Sequence, residues 1–591
     1  MRRLTMGICV AAVCLLAHNE LLAESCPDAI RGGWESSFPA KALFGIALVI
    51  QKKPDGTYTA RVNTEGGGED LEVWPDTRSL RLQSVKLPLS FEGRWSADGD
   101  SIDGFIDYAS NLYRVTLGAD GPDRWSTAWS PLPLVADAIT LDLYFDDDGE
   151  GGTGGYFFFR DERMPSLYGL GASCSGRRVE VAEKNLGLTF RGEFDDAYSR
   201  LEMTVAGPGG NASVVFTPLS AERLAMPPGE SESAAREPNQ SAYAGQAPET
   251  VSDGWRTARP SDLDVGIEPL VEMVDAVVHG ELPKTHAILV AKSGYLIVEE
   301  YFYGFDRRML HDMRSASKSL ASALIGLAVD RDLIDGADAT VLPFFPEHRS
   351  YKAWDPRKAE ITIRDLMTMS SGLDANDSDR KSAAAEGAYQ SQSAQPDWIR
   401  LALDAPMIAD PGARLIYGSA NPLILGGILA NVVGDRVEWF AEAALFGPLG
   451  IDRYRIYMDP TGVPYMGGGI YLRPRDMLKI GQLYLDGGRW QGRQVLSESW
   501  VRDSFGKYGR LEPLDRNGNE YGYLWWHESY QVGGREIASV EARGNGGQYI
   551  FVVPGLEAVA VITSGNYRGG LTMTRQPQRI FERYLLPALA D

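Results

Sequence analysis

Met313-Arg314-Ser315-Ala316-Ser317-Lys318-Ser319-Leu320 runs directly into the apolar stretch Ala321-Ser322-Ala323-Leu324-Ile325-Gly326-Leu327-Ala328-Val329. Leu320, Leu324 and Leu327 recur at helical spacing, which predicts a buried helix. Ser315 stands at its mouth, where free backbone N–H groups and the helix dipole favour a developing anion. Lys318 follows about one turn later, so its amine can reach the Ser315 hydroxyl. A serine hydroxyl attacks poorly until a neighbouring base takes its proton, and an amine can be that base. The same spacing occurs at Ser378-Asp379-Arg380-Lys381, within a polar stretch, and at Ser504-Phe505-Gly506-Lys507, which contains a glycine. Neither opens an apolar helix. The structural alternative at Ser315 is a capping serine beside a solvated lysine.

A length of 591 residues implies two or more domains, and 44% hydrophobic with 23% charged residues is ordinary for a globular chain. The net charge of −22 argues against nucleic acid as a partner, because phosphates require Lys and Arg to neutralise them. Arg2-Arg3, an apolar run to about Ala17 and a small residue at Ala23 read as a signal peptide over residues 1–23. That run is short for a bilayer span, so no stable membrane insertion is expected. A periplasmic or secreted location follows. Cys9 and Cys14 would leave with the signal, and the remaining Cys26 and Cys174 form a candidate disulfide.

Residues 24–219 carry strand and turn signals, such as Thr57-Tyr58-Thr59-Ala60-Arg61-Val62 after the Pro54-Asp55-Gly56 turn. Leu87-Pro88-Leu89-Ser90-Phe91-Glu92-Gly93-Arg94-Trp95 echoes Leu186-Gly187-Leu188-Thr189-Phe190-Arg191-Gly192-Glu193-Phe194. Two related meanders, closed as a sandwich or barrel, would explain the repeat. Gly149-Glu150-Gly151-Gly152-Thr153-Gly154 fits a dinucleotide pattern but leads into a strand, so a hairpin loop is expected. Gly99-Asp100-Ser101 matches an esterase serine block yet reads as a turn. Residues 220–261, rich in Pro, Ser, Glu and Gln, are the expected linker. From 262 to 591 strands at both ends enclose a helical middle, an α+β domain with a separate helical lobe.

This second half resembles the serine β-lactamase and penicillin-binding-protein superfamily, more closely the class C β-lactamase-related esterases and 6-aminohexanoate-dimer hydrolases. The resemblance runs from about His286 onward. It rests on the Ser315 block, on Ile361-Thr362-Ile363-Arg364-Asp365-Leu366-Met367-Thr368-Met369-Ser370-Ser371-Gly372-Leu373, on Pro411-Gly412-Ala413-Arg414-Leu415-Ile416-Tyr417-Gly418-Ser419-Ala420-Asn421, and on Arg543-Gly544-Asn545-Gly546-Gly547-Gln548-Tyr549. It implies a β-lactamase/transpeptidase-like domain, an antiparallel sheet flanked by helices, after an all-β sandwich or barrel. Ser315 and Lys318 match the family's nucleophile and base, and Tyr417 matches its tyrosine, a phenol that can act as a base when a positive charge lies beside it.

The chain departs from the family pattern in two places. The expected Asn after Tyr417 is Ser419, with Asn421 two residues on, and both are candidate substrate contacts. The third motif, usually carrying Lys or His, is Gly544-Asn545-Gly546-Gly547. A backbone N–H from Gly547 or Gln548 would pair with that of Ser315 as the oxyanion hole, and Asn545 and Gly546 belong to the same candidate group. Arg543, on the same strand face as Asn545, could supply the missing cation. Tyr521, Tyr523, Trp525 and Trp526 could line an acyl pocket or simply belong to the core.

His311 is too close to Ser315 to be its triad base, and His286, His348 and His527 stand alone. No G-x-S-x-G or H-E-x-x-H motif is present. The expected activity is hydrolysis of a small ester or linear amide through an acyl-enzyme, without cofactor or metal. A β-lactamase, a D-alanyl peptidase, or a binding protein that acylates slowly or not at all are the alternatives.

Overall fold

Alternation writes the first half. In Tyr58–Thr64 the side chains of Ala60 and Val62 are buried between exposed Thr59, Arg61 and Asn63, as a strand with one face on a core requires. The computed structural model describes residues 26–39, 45–64, 67–87, 89–108, 110–129, 138–147, 153–159, 167–183, 188–207, 210–219, 243–303, 305–348, 350–379, 381–390, 397–512, 520–566 and 575–590. The expected signal peptide, residues 220–242 of the expected linker and most of the Gly149–Gly154 loop lie outside them.

Strand β1 (Gly32–Pro39) is followed at once by a complete meander: β2 (Ile46–Lys52), β3 (Tyr58–Thr64), β4 (Gly67–Pro75), β5 (Ser79–Gln83), β6 (Leu89–Trp95), β7 (Ser101–Tyr108), β8 (Asn111–Ala119) and β9 (Arg124–Trp129). β9 pairs along β2 and also meets β8 at Gly118↔Ser126 and Ala119↔Trp125, which closes this ring. The chain then adds β10 (Ala138–Asp147), β11 (Thr153–Phe159), β12 (Leu167–Ser175), β13 (Arg178–Glu183), β14 (Leu188–Phe194), β15 (Leu201–Gly207) and β16 (Gly210–Pro218). β1 lies between β10 and β16, completing a closed barrel. The all-β half is therefore two barrels, with the second (β2–β9) inserted after the first strand of the other.

The repeat has a structural basis. β6 and β14 occupy the same place in their meanders, counted from β2 and from β10. An added Cβ would lie 2.4 Å from the Phe91 ring at Gly93 and 2.7 Å from Leu201 at Gly192, so the third residue of each Phe-x-Gly must lack a side chain. Separate apolar cores fill the barrels, Trp34, Phe194, Met203 and Phe216 in one and Leu48, Phe91, Ile102 and Leu117 in the other. Cys26 and Cys174 are joined by a disulfide in the first barrel. Gly99 sits in a turn, its N–H donating to the Ser96 carbonyl at 3.0 Å between β6 and β7.

In the second half, β17 (Arg256–Thr257) and helix α1 (Glu268–Val278) lead into the hairpin β18 (Thr285–Lys292) and β19 (Tyr295–Tyr301), then β20 (His311–Asp312) and helix α2 (Lys318–Val329). β21 (Leu415–Ile416) precedes helix α3 (Ala420–Val432), the hairpin β22 (Arg455–Tyr457) and β23 (Ile470–Leu472), helix α4 (Pro474–Leu485) and a small ribbon of β24 (Arg489–Trp490) and β25 (Arg493–Gln494). The last strands are β26 (Gly509–Glu512), β27 (Glu520–Tyr521), β28 (Trp526–Val532), β29 (Arg535–Gly544), β30 (Gln548–Val553) and β31 (Ala558–Ser564), before helices at Gln576–Ile580 and Leu586–Ala590.

The main sheet has ten strands in the order β17-β19-β18-β31-β30-β29-β28-β27-β26-β21. β18 is apolar almost throughout because both faces are covered. Ile288 and Val290 pack with α1 and the C-terminal helices, whereas Leu289 and Ala291 share a core with α2 and α4. α2 is buried from Lys318 to Ala328, which explains why it is apolar all round.

Candidate active site

Ser315 follows β20 in a single 3₁₀ turn, Arg314–Ser317, that feeds α2. The turn begins with a forced conformation: Arg314 has φ +48°, a left-handed backbone that costs an L-residue energy and persists only where neighbours hold it. Asp312 is one such neighbour, accepting the Arg314 N–H at 2.9 Å and pairing with its Nε at 2.9 Å. Ser315 itself is only half-buried.

Lys318, 1% exposed, points its Nζ back at Ser315 and donates to Oγ at 2.8 Å. A second bond goes to the Gly467 carbonyl, in the turn between β22 and β23. Tyr417, half-buried at the end of β21, places its ring centroid 5.1 Å from the same amine. Trp526 and Tyr521 pack behind it: Trp526 lies 5.6 Å from the Tyr417 ring and 5.1 Å from that of Tyr521. Tyr523 and Trp525, by contrast, are core residues at 1% and 0% exposure.

The structure adds a group that no motif marked. Asp377 accepts the Ser419 N–H at 2.8 Å, the Ser419 hydroxyl at 2.7 Å and the Glu386 N–H at 2.8 Å, and its own N–H donates to the Tyr417 carbonyl at 3.1 Å. It clamps the segment that carries Tyr417. Burial pushes its carboxyl above the usual range, against the pull of the Lys318 charge. Glu386 continues the network, accepting from the Tyr465 hydroxyl at 2.5 Å, and Tyr389 meets that hydroxyl at 3.0 Å. The wall bearing Tyr417 and the hairpin whose Gly467 carbonyl receives Lys318 are thus tied together.

Ser419 and Asn421, the two candidate substrate contacts, turn inward. Ser419 and Asn421 are each 1% exposed. Ser419 is held inward by Asp377, and the Asn421 amide donates to the Gly418 carbonyl at 3.2 Å. Both serve the start of α3 rather than a cleft.

The glycine-rich stretch is the turn between β29 and β30, and it lies against the turn that carries Ser315. A Cβ on Gly544 would stand 2.2 Å from the Met313 carbonyl oxygen, so only glycine permits this approach. Within the turn, Gly547 N–H donates to the Gly544 carbonyl at 3.2 Å, Gly546 N–H goes to the Asn545 side chain at 2.8 Å, and Gln548 is fully buried with its amide on the Ser564 carbonyl. Gly547 is therefore already engaged, contrary to expectation. The exposed Asn545 keeps a backbone N–H that no acceptor takes among the described residues.

Arg543 is held by two carboxylates. It bonds Glu541 at 2.7 Å and Glu528 at 3.0 Å and lies 4.9 Å from the Trp526 ring. Burial alone would lower its guanidinium, but the charge of Glu541 beside it raises it. Its charge is matched within the protein, where sequence reasoning offered it to substrate. The histidines gather elsewhere: His286 and His311 form a buried pair at 2.8 Å behind β20, His348 neighbours Glu347 and His527 faces the Gly506 carbonyl.

The profile of the Beta-lactamase family matches residues 283–581, just over half of the chain. The 6-aminohexanoate-dimer hydrolase of Paenarthrobacter ureafaciens is 28% identical over 295 residues, 47% of this chain and 71% of that protein. Among solved structures, the octameric penicillin-binding protein homologue from Pyrococcus abyssi aligns at 18% identity over 55% of this chain and 77% of its own, with a TM-score of 0.42. Simvastatin synthase (LovD) from Aspergillus terreus aligns at 18% identity over 55% of this chain and 100% of its own, also at 0.42. The chain belongs to the Beta-lactamase family, within the serine hydrolases.

Proposed function

We propose that this protein is an exported esterase or amidase working through a Ser315 acyl-enzyme. The observation that carries this reading is the 2.8 Å bond between Lys318 Nζ and Ser315 Oγ, with the Tyr417 ring beside the same amine. Lys318, assisted by Tyr417, takes the Ser315 proton as Oγ attacks the substrate carbonyl carbon. The oxyanion is held by the Ser315 N–H, at the start of a helical turn where such groups lack an intrahelical acceptor, and by the Asn545 N–H. Losing one such donor costs about 3–4 kcal/mol of transition-state stabilisation in comparable sites. The leaving alcohol or amine departs with the proton. Water, deprotonated by the same base, then attacks the ester to Ser315 and releases the acid.

A small ester or a linear amide is favoured over a β-lactam. Arg543, the candidate for a β-lactam carboxylate, is paired with Glu541 and Glu528. The relative named for a 6-aminohexanoate dimer supports the same substrate class. The Cys26–Cys174 disulfide supports export, since such bonds persist in oxidising compartments. Ser315→Ala is expected to abolish p-nitrophenyl ester turnover and fluorophosphonate labelling. Turnover retained at the wild-type rate contradicts the assignment, and nitrocefin hydrolysis outpacing every ester would move it to β-lactams.

A further inference from the structure

The inserted barrel is joined to the hydrolase half by a continuous ladder. β8 splits: its far end closes the barrel on β9, while Asn111, Leu112 and Tyr113 pair with Tyr457, Ile456 and Arg455 of β22. β22 pairs with β23, and β23 with β20, the two-residue strand that delivers the Ser315 turn. The Arg114 N–H donates to the Tyr454 carbonyl at 3.1 Å and the Met458 N–H to the Ser110 carbonyl at 2.8 Å, extending the join at both ends. The β22–β23 hairpin therefore has the barrel on one side. On the other it offers the Gly467 carbonyl to Lys318 and the Ile470 carbonyl to the Met313 N–H, at 3.1 Å.

Side chains cross the same ladder. Arg455, 3% exposed, lies 3.6 Å from the Tyr471 ring and 5.7 Å from that of Tyr113. Tyr471 stands directly opposite Asp312 in the β20–β23 pair. Asp312 in turn holds the left-handed Arg314 immediately ahead of Ser315. Two Arg455 nitrogens, Nε and Nη2, find no hydrogen-bond partner among the described residues, so the aromatic faces of Tyr471 and Tyr113 confine this charge.

We propose that the inserted barrel is a positioning element of the hydrolase: Tyr113, through Arg455, Tyr471 and Asp312, sets the strained turn that aims Ser315. This rests on the acyl-enzyme reading above. Misplacing a reacting atom by about 1 Å can cost 10²-fold in rate, so a contact that touches no substrate can still govern acylation.

The full chain carrying Tyr113→Ala, Arg455→Met or both is tested by the fluorophosphonate labelling rate and by single-turnover acylation with p-nitrophenyl acetate. Tyr113→Ala is expected to slow acylation about tenfold with KM changed less than twofold, and Tyr113→Phe, which keeps the ring, to recover part of the loss. Because both side chains act along one path, the double variant is expected to be no slower than the slower single variant. Wild-type acylation in Tyr113→Ala, or losses that multiply in the double variant, would overturn the proposal. Should Tyr113→Ala fail to fold, Arg455→Met is judged by the same criteria. If wild type itself does not label, the acyl-enzyme reading falls and this proposal with it; if wild type labels, Ser315→Ala does not and Tyr113→Ala equals wild type, the barrel proposal alone fails.

Discussion

Three residues around Ser315 have conformations that their neighbours impose. Arg314 is left-handed, Lys318 is buried yet directed at a hydroxyl, and Gly544 gives up a side chain so that a strand end can touch the turn. Gly544→Ala is expected to push β29 off the Met313 carbonyl, slowing fluorophosphonate labelling more than tenfold and costing about 1–3 kcal/mol in urea unfolding. Unchanged labelling would mean that the approach has no bearing on the nucleophile. Asp377→Asn is expected to lower kcat about tenfold with little change in KM, because the amide cannot accept from both Ser419 and Glu386 as the carboxylate does. A KM effect without a kcat effect would place Asp377 against substrate instead. Ser315 and Lys318 were legible because helical spacing is a local property of three residues. Asp377 was not: it lies in an irregular segment and reaches Ser419 only through the fold. The motif offset that assigned Ser419 and Asn421 to substrate carried no information on which way α3 would turn them.

At the scale of elements, β20 carries His311 into a buried pair with His286, which is stacked on Phe305. Burial lowers His311 to about 4, whereas an unfolded histidine titrates near 6.5. Between those values the unfolded chain takes up a proton that the folded chain declines, so stability falls as pH drops through this window and is unaffected above it. The slope reaches at most about 1.4 kcal/mol per pH unit, or of order 3 kcal/mol across the window. In urea titrations from pH 7 to pH 4, His311→Gln is expected to lose less stability than wild type; parallel curves would exclude this histidine as the cause. Hairpins such as β18–β19 were readable from alternation and a Ser293-Gly294 turn. The pairing of β8 with β22 was not, since it joins residues that lie far apart in sequence and neither strand carries a mark of its partner. Which N–H of the β29–β30 turn faces Ser315 stayed open for a related reason: four consecutive backbone N–H groups look alike until the hydrogen bonds of the turn are known.

For the whole molecule, strand content and the Phe-x-Gly repeat announced two meanders, but nothing in the linear order told that one interrupts the other. The Cys26–Cys174 bridge spans 148 residues and so encloses the entire inserted barrel. On the chain-entropy account, closing a loop of that size stabilises by about 5 kcal/mol. Replacing both cysteines by serine is expected to lower the melting of the first barrel while leaving ester turnover at 25 °C intact, as followed by calorimetry and assay; lost turnover would tie that barrel to the catalytic site.

The nested arrangement also dictates an order of events at the ribosome. β1 emerges early but cannot be enclosed until β16, its second neighbour, has been made, whereas β2–β9 have every partner of their own ring in hand by Trp129. The inner barrel can therefore close while the outer one is still a single strand awaiting its ring, and a nascent chain released near residue 135 should carry a protease-resistant core of residues 46–129 with an unprotected β1.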